Sequence, residues 1–290
     1  MERIRAVMGR SRFLAAHETS HLDARSYAFH HLVRGGGEPV VLVHGGGVWL
    51  YSFRHLIGPL SEAFRVHALD MPGFGFTAIL RDQVRIDVWS MADALKEYLD
   101  ASGIRKASLV GHSWGGGWVL AFALAYPDAA GRIVLMDSSG LDVPDVLPWE
   151  LLKVPVLGGV LLRLAGRTTA RRMLEASFAD RSLVTESMVS EILLPLRIRR
   201  NRQHQARLAR NISWKEVEAR LHEVHSPVVL VWGELDRYLP LSLSARFKDR
   251  MPGLAVHVIA SCGHCPHEER PDAAAAIVSR FLGRGRPGIP

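Results

Sequence analysis

Cysteine is almost absent, with 2 in 290 residues. Two thiols, Cys262 and Cys265, cannot build the disulfide framework of a small secreted scaffold. Long apolar runs are missing too. The longest, such as residues 154–162, fall well short of the roughly 20 residues of a membrane-spanning helix. The opening MERIRAVMGRSRFLAAHETS is basic but lacks the apolar stretch of a signal peptide. A cytoplasmic protein is therefore the expectation. There is no internal repeat, no low-complexity tract and no G-x-x-x-x-G-K-[ST] phosphate loop. The glycines at 45–47 do not complete G-x-G-x-x-G, because Leu50 stands where the last glycine belongs. No nucleotide cofactor is expected. The C-x-x-C at 262–265 lies near the C-terminus, whereas the redox motif opens a helix early in its domain. It also lacks a second ligand cluster for zinc, so no metal is expected.

What is present describes one large domain, or a core with a smaller insert. Hydrophobic residues make up 48% and charged residues 22%, enough to bury a sizeable core. The net charge is +7 and the pI about 9.8. The excess is mostly arginine, densest at Arg197, Arg199, Arg200, Arg202, Arg207 and Arg210. Its first reading is a solvated helix face; its second is a grip on an anionic group or a membrane surface. No nucleic-acid-binding signature accompanies it, so the expected partner is a small-molecule substrate.

Short apolar runs alternate with helical patterns. Strands are expected at residues 39–44, 65–70, 107–111, 132–137, 227–232 and 255–260, with 27–33 pairing at an edge. Between them, residues 88–102 set Met91, Leu95, Tyr98 and Leu99 on one helical face. Residues 114–125 are apolar nearly all round and read as a buried helix. Asp272 reads as the cap of a final helix ending near Leu282. This alternation implies an α/β fold, a mostly parallel central sheet with helices on both faces. Residues 141–225 break the rhythm with Pro144, Pro148, Pro155, Gly158 and Gly159, followed by helical, arginine-rich sequence. They read as a helical cap, leaving 1–140 and 226–290 as the core. Trp49, Tyr51, Trp149 and the leucines at 151, 152, 157, 161 and 162 are candidates for lining an apolar cleft.

Gly111-His112-Ser113-Trp114-Gly115 fits G-x-S-x-G, with a strand before it and a buried helix after it. A serine in that turn is pushed out of the sheet top, beside the N–H groups of a helix N-terminus. Its hydroxyl needs a base, and position selects His264 from 14 histidines, just after the last strand. Asp236, in the loop after the 227–232 strand, supplies the acid. The chain order Ser113, Asp236, His264 fits the elbow, and all three lie at carboxyl ends of parallel strands. Trp114 N–H, next after the nucleophile, is one oxyanion donor. Asp137, ending the 132–137 strand, is an alternative acid but reads first as a strand-end carboxylate. Asp70 reads as a turn former, His112 as a packing residue and His267 as a stabiliser of the His264 loop.

HGGG at His44, DMPGFGFT at Asp70, GHSWGG at Ser113, GELDRYLP at Asp236 and GHCPHEERP at His264 occur in that order. With them the chain resembles the α/β-hydrolase fold family over about residues 27–283. The resemblance implies a cap inserted after the sixth strand. It also implies a second oxyanion donor from the His-Gly-x loop, Gly46, with Gly47 the close alternative and His44 structural. The expected activity is hydrolysis of a carboxylic ester or related acyl compound through an acyl-enzyme on Ser113. The leucine-rich start of the insert favours an apolar acyl or aromatic substrate. A C–C bond hydrolase of ring-cleavage diketones uses the same triad. Such relatives often carry tryptophan soon after the histidine and asparagine before the serine, where this chain has Cys265-Pro266 and His112. Acyl transfer or cyclisation shares the acyl-enzyme, and a non-enzymatic receptor on this fold would not require the complete triad.

Overall fold

The computed structural model describes residues 1–81, 85–144 and 147–283. The end of the expected core segment, residues 284–290, lies outside the described residues. Nine strands form one sheet: β1 (Ser20–Asp23), β2 (Tyr27–Arg34), β3 (Pro39–Val43), β4 (Arg65–Leu69), β5 (Ala78–Ile79), β6 (Ala107–His112), β7 (Ala130–Met136), β8 (Val228–Gly233) and β9 (Ala255–Ile259). Their order is β1-β2-β4-β3-β6-β7-β8-β9, with β5 paired to β2. The pairs from β4 through β9 are parallel; those made by β2 are antiparallel.

The central strands are apolar on both faces because helices cover both. Val41, Val43, Leu109, Ile133, Leu135 and Trp232 face one cluster, built with helices Val88–Ala101 and Trp114–Ala125. Val40, Leu42, Val110, Val134, Met136 and Val231 alternate to the other side, against helices Arg54–Ser61 and Pro271–Leu282. Met91, Leu95, Tyr98 and Leu99 are all buried, so the helical face read from the sequence is the packed face. Two expectations need correction. Tyr27–Arg34 is not an edge strand; β1 pairs outside it. β1 is too short and too exposed to show periodicity. Asp272 lies inside the first turn of the last helix, where Arg270 is the N-cap residue and no side chain caps.

Between β7 and β8 the described residues form helices and no strand: Leu147–Lys153, Leu157–Leu164, Arg167–Ser177, Glu186–Leu193, Arg199–Asn211 and Lys215–Ala219. This segment follows the seventh strand in chain order, because the two-residue β5 adds one. It is tied to the core through polar contacts. Asn201 Nδ2 donates to Gly75 O at 2.8 Å and Gln205 Nε2 to Gly73 O at 2.9 Å. Glu191 accepts from Ser11 Oγ and the Arg12 N–H at 2.7 and 2.8 Å.

Candidate active site

Ser113 sits between β6 and the helix Trp114–Ala125 with φ 52° and ψ −124°. An L-residue rarely occupies that region, and the surroundings over-determine it here. A Cβ on Gly115 would lie 2.2 Å from Val43 O and 2.4 Å from His44 O. One on Gly111 would lie 2.6 Å from Gly116 Cα. The glycines therefore let the turn close against β3. Ser113 N–H donates to Met136 O, and Ser113 O accepts from the Gly116 and Ser139 N–H groups, at 2.9–3.0 Å. The backbone is held on three sides, while the hydroxyl makes no hydrogen bond among the described residues.

His264 follows β9 through Ser261, itself at φ 51°. Its Nδ1 lies 2.8 Å from Asp236 Oδ2, and Nδ1–H donates to the carboxylate. The other oxygen, Asp236 Oδ1, accepts the Tyr238 and Leu239 N–H groups at 2.7 and 3.0 Å. Burial works to raise the Asp236 carboxyl, but the His264 charge and these hydrogen bonds outweigh it and hold it below its ordinary value. Two further contacts aim the imidazole. His264 N–H donates to Ser177 O at 2.7 Å, and His112 Nε2–H donates to His264 O at 2.8 Å. Burial, and then the His264 charge, push His112 down to about 3, so it stays neutral.

Asp137 follows β7 at φ 41°, fully buried. Its Oδ1 accepts the Gly233 N–H at 2.9 Å; its Oδ2 accepts from no N–H or hydroxyl among the described residues, and the Asp137 side chain hydrogen-bonds that of Asp236. Burial, then the Asp236 charge, push it well above the carboxylate range, so it is held as a neutral acid. Ligand atoms of Asp137, Asp236 and His264 fall within 4.8 Å of one another, all buried. This is the one grouping among the described residues that resembles a metal cluster. The His264 Nδ1 in it is already spent on Asp236, so the arrangement reads as an acid–base pair with a second carboxyl behind it.

Gly46 lines a cavity with Ser113, His112, Trp114 and His264. Gly47 does not; at φ 74° it turns toward Trp149. Neither the Gly46 nor the Trp114 N–H donates to another described residue. Trp149, Met173, Leu174, Tyr238 and Leu239 complete most of the wall. Trp49 and Tyr51 are buried in the core instead, and Leu151 and Leu157 stand 38% and 39% exposed. Of the apolar residues expected to line the cleft, only Trp149 does. The leucines follow helical faces that residue type alone does not orient.

His44 and Asp70 brace the loops. His44 Nδ1–H donates to Gly45 O at 2.8 Å and its Nε2 accepts the Met71 N–H at 3.0 Å. Asp70, fully buried, accepts from the Leu50 and Phe76 N–H groups, both at 2.8 Å, and from His30 at 2.6 Å. It is more than a turn former: it joins the 44–50 and 70–77 loops. Glu269 has a similar role that no sequence signal revealed. Its carboxylate accepts from Gly263, Ala179 and Asp180 N–H groups at 2.7–3.2 Å, tying the histidine loop to the helical segment. His267 is buried on Phe53 and His112, and neither ring nitrogen has a hydrogen-bond partner among the described residues. Cys262 and Cys265 are free thiols, and burial raises both, which keeps them protonated and unreactive.

A family model described as alpha/beta hydrolase fold matches residues 38–271. The chain belongs to that family. A 2-hydroxy-6-oxo-6-phenylhexa-2,4-dienoate hydrolase of Burkholderia cepacia is 34% identical, over 87% of this chain and 90% of its own. A 2-hydroxy-6-oxononadienedioate/2-hydroxy-6-oxononatrienedioate hydrolase of Comamonas testosteroni is 33% identical over the same shares. The solved meta-cleavage product hydrolase from Pseudomonas fluorescens IP01, complexed with acetates, superposes with a TM-score of 0.78 at 26% identity, covering 92% of this chain and 97% of that one. As a member of the α/β-hydrolase family the chain is a hydrolase with a mostly parallel sheet.

Proposed function

We propose that this hydrolase cleaves a carbon–carbon bond beside a ketone in a ring-cleavage product of an aromatic compound. Ser113 is the nucleophile, His264 the general acid–base, Asp236 its orienting carboxylate, and the Gly46 and Trp114 N–H groups the oxyanion donors. The observation that carries the substrate class is the likeness, at 34% and 33% identity over most of both chains, to hydrolases of 6-oxo-dienoates. It departs from the ester reading that the motifs first favour, since ester and C–C hydrolases present the same triad to a sequence.

The site supplies what that chemistry needs. Moving the 2-hydroxyl proton of such a dienoate to C5 gives a 2,6-diketone. Ser113 Oγ adds to C6 as His264 accepts its proton, and the Gly46 and Trp114 N–H groups serve as donors to the oxyanion. The C5–C6 bond breaks, its electron pair delocalising onto the C2 oxygen, and His264 returns a proton to that fragment. Water, deprotonated by His264, then hydrolyses the acyl ester. The cavity is about 60 Å³, small beside the roughly 300–1,000 Å³ of ordinary ligand sites. Substrate entry therefore requires its wall to move. Trp149, Met173, Leu174 and Ser177 of that wall belong to residues 141–225, which we propose act as the cap over a core of 1–140 and 226–290. Lid shifts of this kind admit substrate and then exclude water.

A carboxylic ester is the second reading. His112 and Cys265 favour it, standing where ring-cleavage hydrolases often have asparagine and tryptophan. Acyl transfer differs only in what intercepts the acyl-enzyme. The test is turnover of a coloured 6-phenyl dienoate beside p-nitrophenyl esters of rising chain length. Diketone turnover exceeding that of every ester supports the first reading. Ester turnover alone selects the second, and turnover of neither overturns both.

A further inference from the structure

Single apolar side chains in water are ordinary, but a cluster of them marks an interaction site. Thirteen large hydrophobic side chains stand exposed on the described surface, and seven of them fall within residues 147–164. Leu157, Val160 and Leu164 share one stripe of the helix Leu157–Leu164, at i, i+3 and i+7. Leu147 and Leu151 form a second stripe, at i and i+4, on the helix before it. Val156, in the joint between them, is 80% exposed and held at φ 65°, a region a β-branched residue rarely takes. Both helices pack on the helix Arg199–Asn211.

That third helix supplies charge. Arg163, Arg199 and Arg202 line one surface groove with Gly159 and Gln203. Arg3 is close as well: burial first, then the charges of Arg3, Arg163 and Arg199, hold Arg202 below its ordinary value. None of these four arginines pairs with an acid among the described residues. Like charges gathered without counter-ions repel one another, and an anionic partner relieves that repulsion. No helix of the described residues is long and apolar enough to cross a membrane. Short helices with an apolar stripe beside a cationic groove match a surface that lies on a bilayer.

We infer that the face formed by residues 147–164 and the helix Arg199–Asn211 docks on an anionic lipid bilayer. Val156, Leu157, Val160 and Leu164 enter the boundary of the acyl chains, and Arg163 and Arg199 meet headgroup phosphates. The helix Leu147–Lys153 carries Trp149, which packs on Trp114 at 4.8 Å between ring centres in the cavity wall. Docking brings the roof of the catalytic cavity to the bilayer surface. The docking itself does not depend on which bond the site cleaves.

The test is co-sedimentation of the full chain with vesicles of phosphatidylglycerol and phosphatidylcholine, and with phosphatidylcholine alone. Binding to the anionic vesicles is expected, weakening as salt rises to about 1 M. Arg163→Gln and Arg199→Gln should each lower partitioning about fivefold. Leu164→Asp should lower it about tenfold or more. These side chains are exposed, so melting temperature and turnover of a water-soluble substrate should stay at wild-type values. Absence of binding to anionic vesicles overturns the inference, as does binding that neither class of variant weakens. A dimer that Leu164→Asp breaks, without vesicle binding, also overturns it and makes a second copy the occupant.

Discussion

Replacing Asp236 by asparagine changes one atom behind His264. Asp236 Oδ1 is held by the Tyr238 and Leu239 N–H groups at 2.7 and 3.0 Å, so the asparagine oxygen stays on that side. The amide NH2 then faces His264 Nδ1, where the carboxylate had accepted at 2.8 Å. An NH2 group cannot accept a hydrogen bond, so the imidazole shifts to its Nε2–H tautomer and cannot take the Ser113 proton. Loss of tautomer control in such triads costs roughly 10⁴ in rate, about 5 kcal/mol on the barrier. The loop keeps both backbone hydrogen bonds, so stability changes little. Asp137→Asn is the matched control. It retains an acceptor for the Gly233 N–H and, like the neutral acid it replaces, a donor on the other side. Its rate should fall by less than about tenfold, since the asparagine NH2 still donates toward Asp236 and the His264–Asp236 contact is kept. The assay is kcat/KM for both variants, normalised to the fraction of Ser113 that labels. A larger loss in Asp137→Asn refutes the reasoning and makes Asp137 the triad acid.

Asp137 also sets a pH dependence. Its folded-state pKa is raised, so above the unfolded value of about 3.9 the folded chain binds more protons and loses stability as pH rises toward the folded value. The melting temperature of Asp137→Asn relative to wild type should therefore climb as pH rises above about 4; a flat difference contradicts a buried neutral acid. Gly115→Ala puts a methyl 2.2 Å from Val43 O, so the variant should be insoluble or melt far below wild type. A wild-type melting curve would remove the packing account of the elbow. Trp149→Ala and Met173→Ala should widen the range of acyl groups accepted while Ser113 still labels, because both side chains line the cavity. Leu157→Ala should leave the profile alone, and an equal shift in all three would show that the wall is wrongly drawn.

The sheet was legible because β3, β6, β7 and β8 are short apolar runs buried on both faces, a pattern no surface strand shares. β1, with the burial of a solvent-facing edge, and the two-residue β5 carry no such signal. The elbow was legible for a steric reason: only glycine tolerates the approach of residues 111 and 115 to backbone atoms. The positions of Asp236 and His264 followed from strand ends, and their 2.8 Å contact is the tertiary consequence. Long-range braces were not readable. Glu269 meets Ala179 across 90 positions, and His264 meets the carbonyl of Ser177, with no periodicity to announce either. The cavity wall failed for a related reason. Leu157 and Trp149 look equally apolar in sequence, and only the way their short helices pack turns one outward and the other over Ser113.

The central claim is that Ser113 is the nucleophile, and covalent labelling tests it most directly. The protein is treated with a fluorophosphonate, digested and mapped by tandem mass spectrometry, with residual turnover measured on the same sample. The account predicts one adduct, on Ser113, with turnover falling in proportion to labelling and no adduct in Ser113→Ala. An adduct on another residue, or full turnover after complete labelling of Ser113, contradicts it.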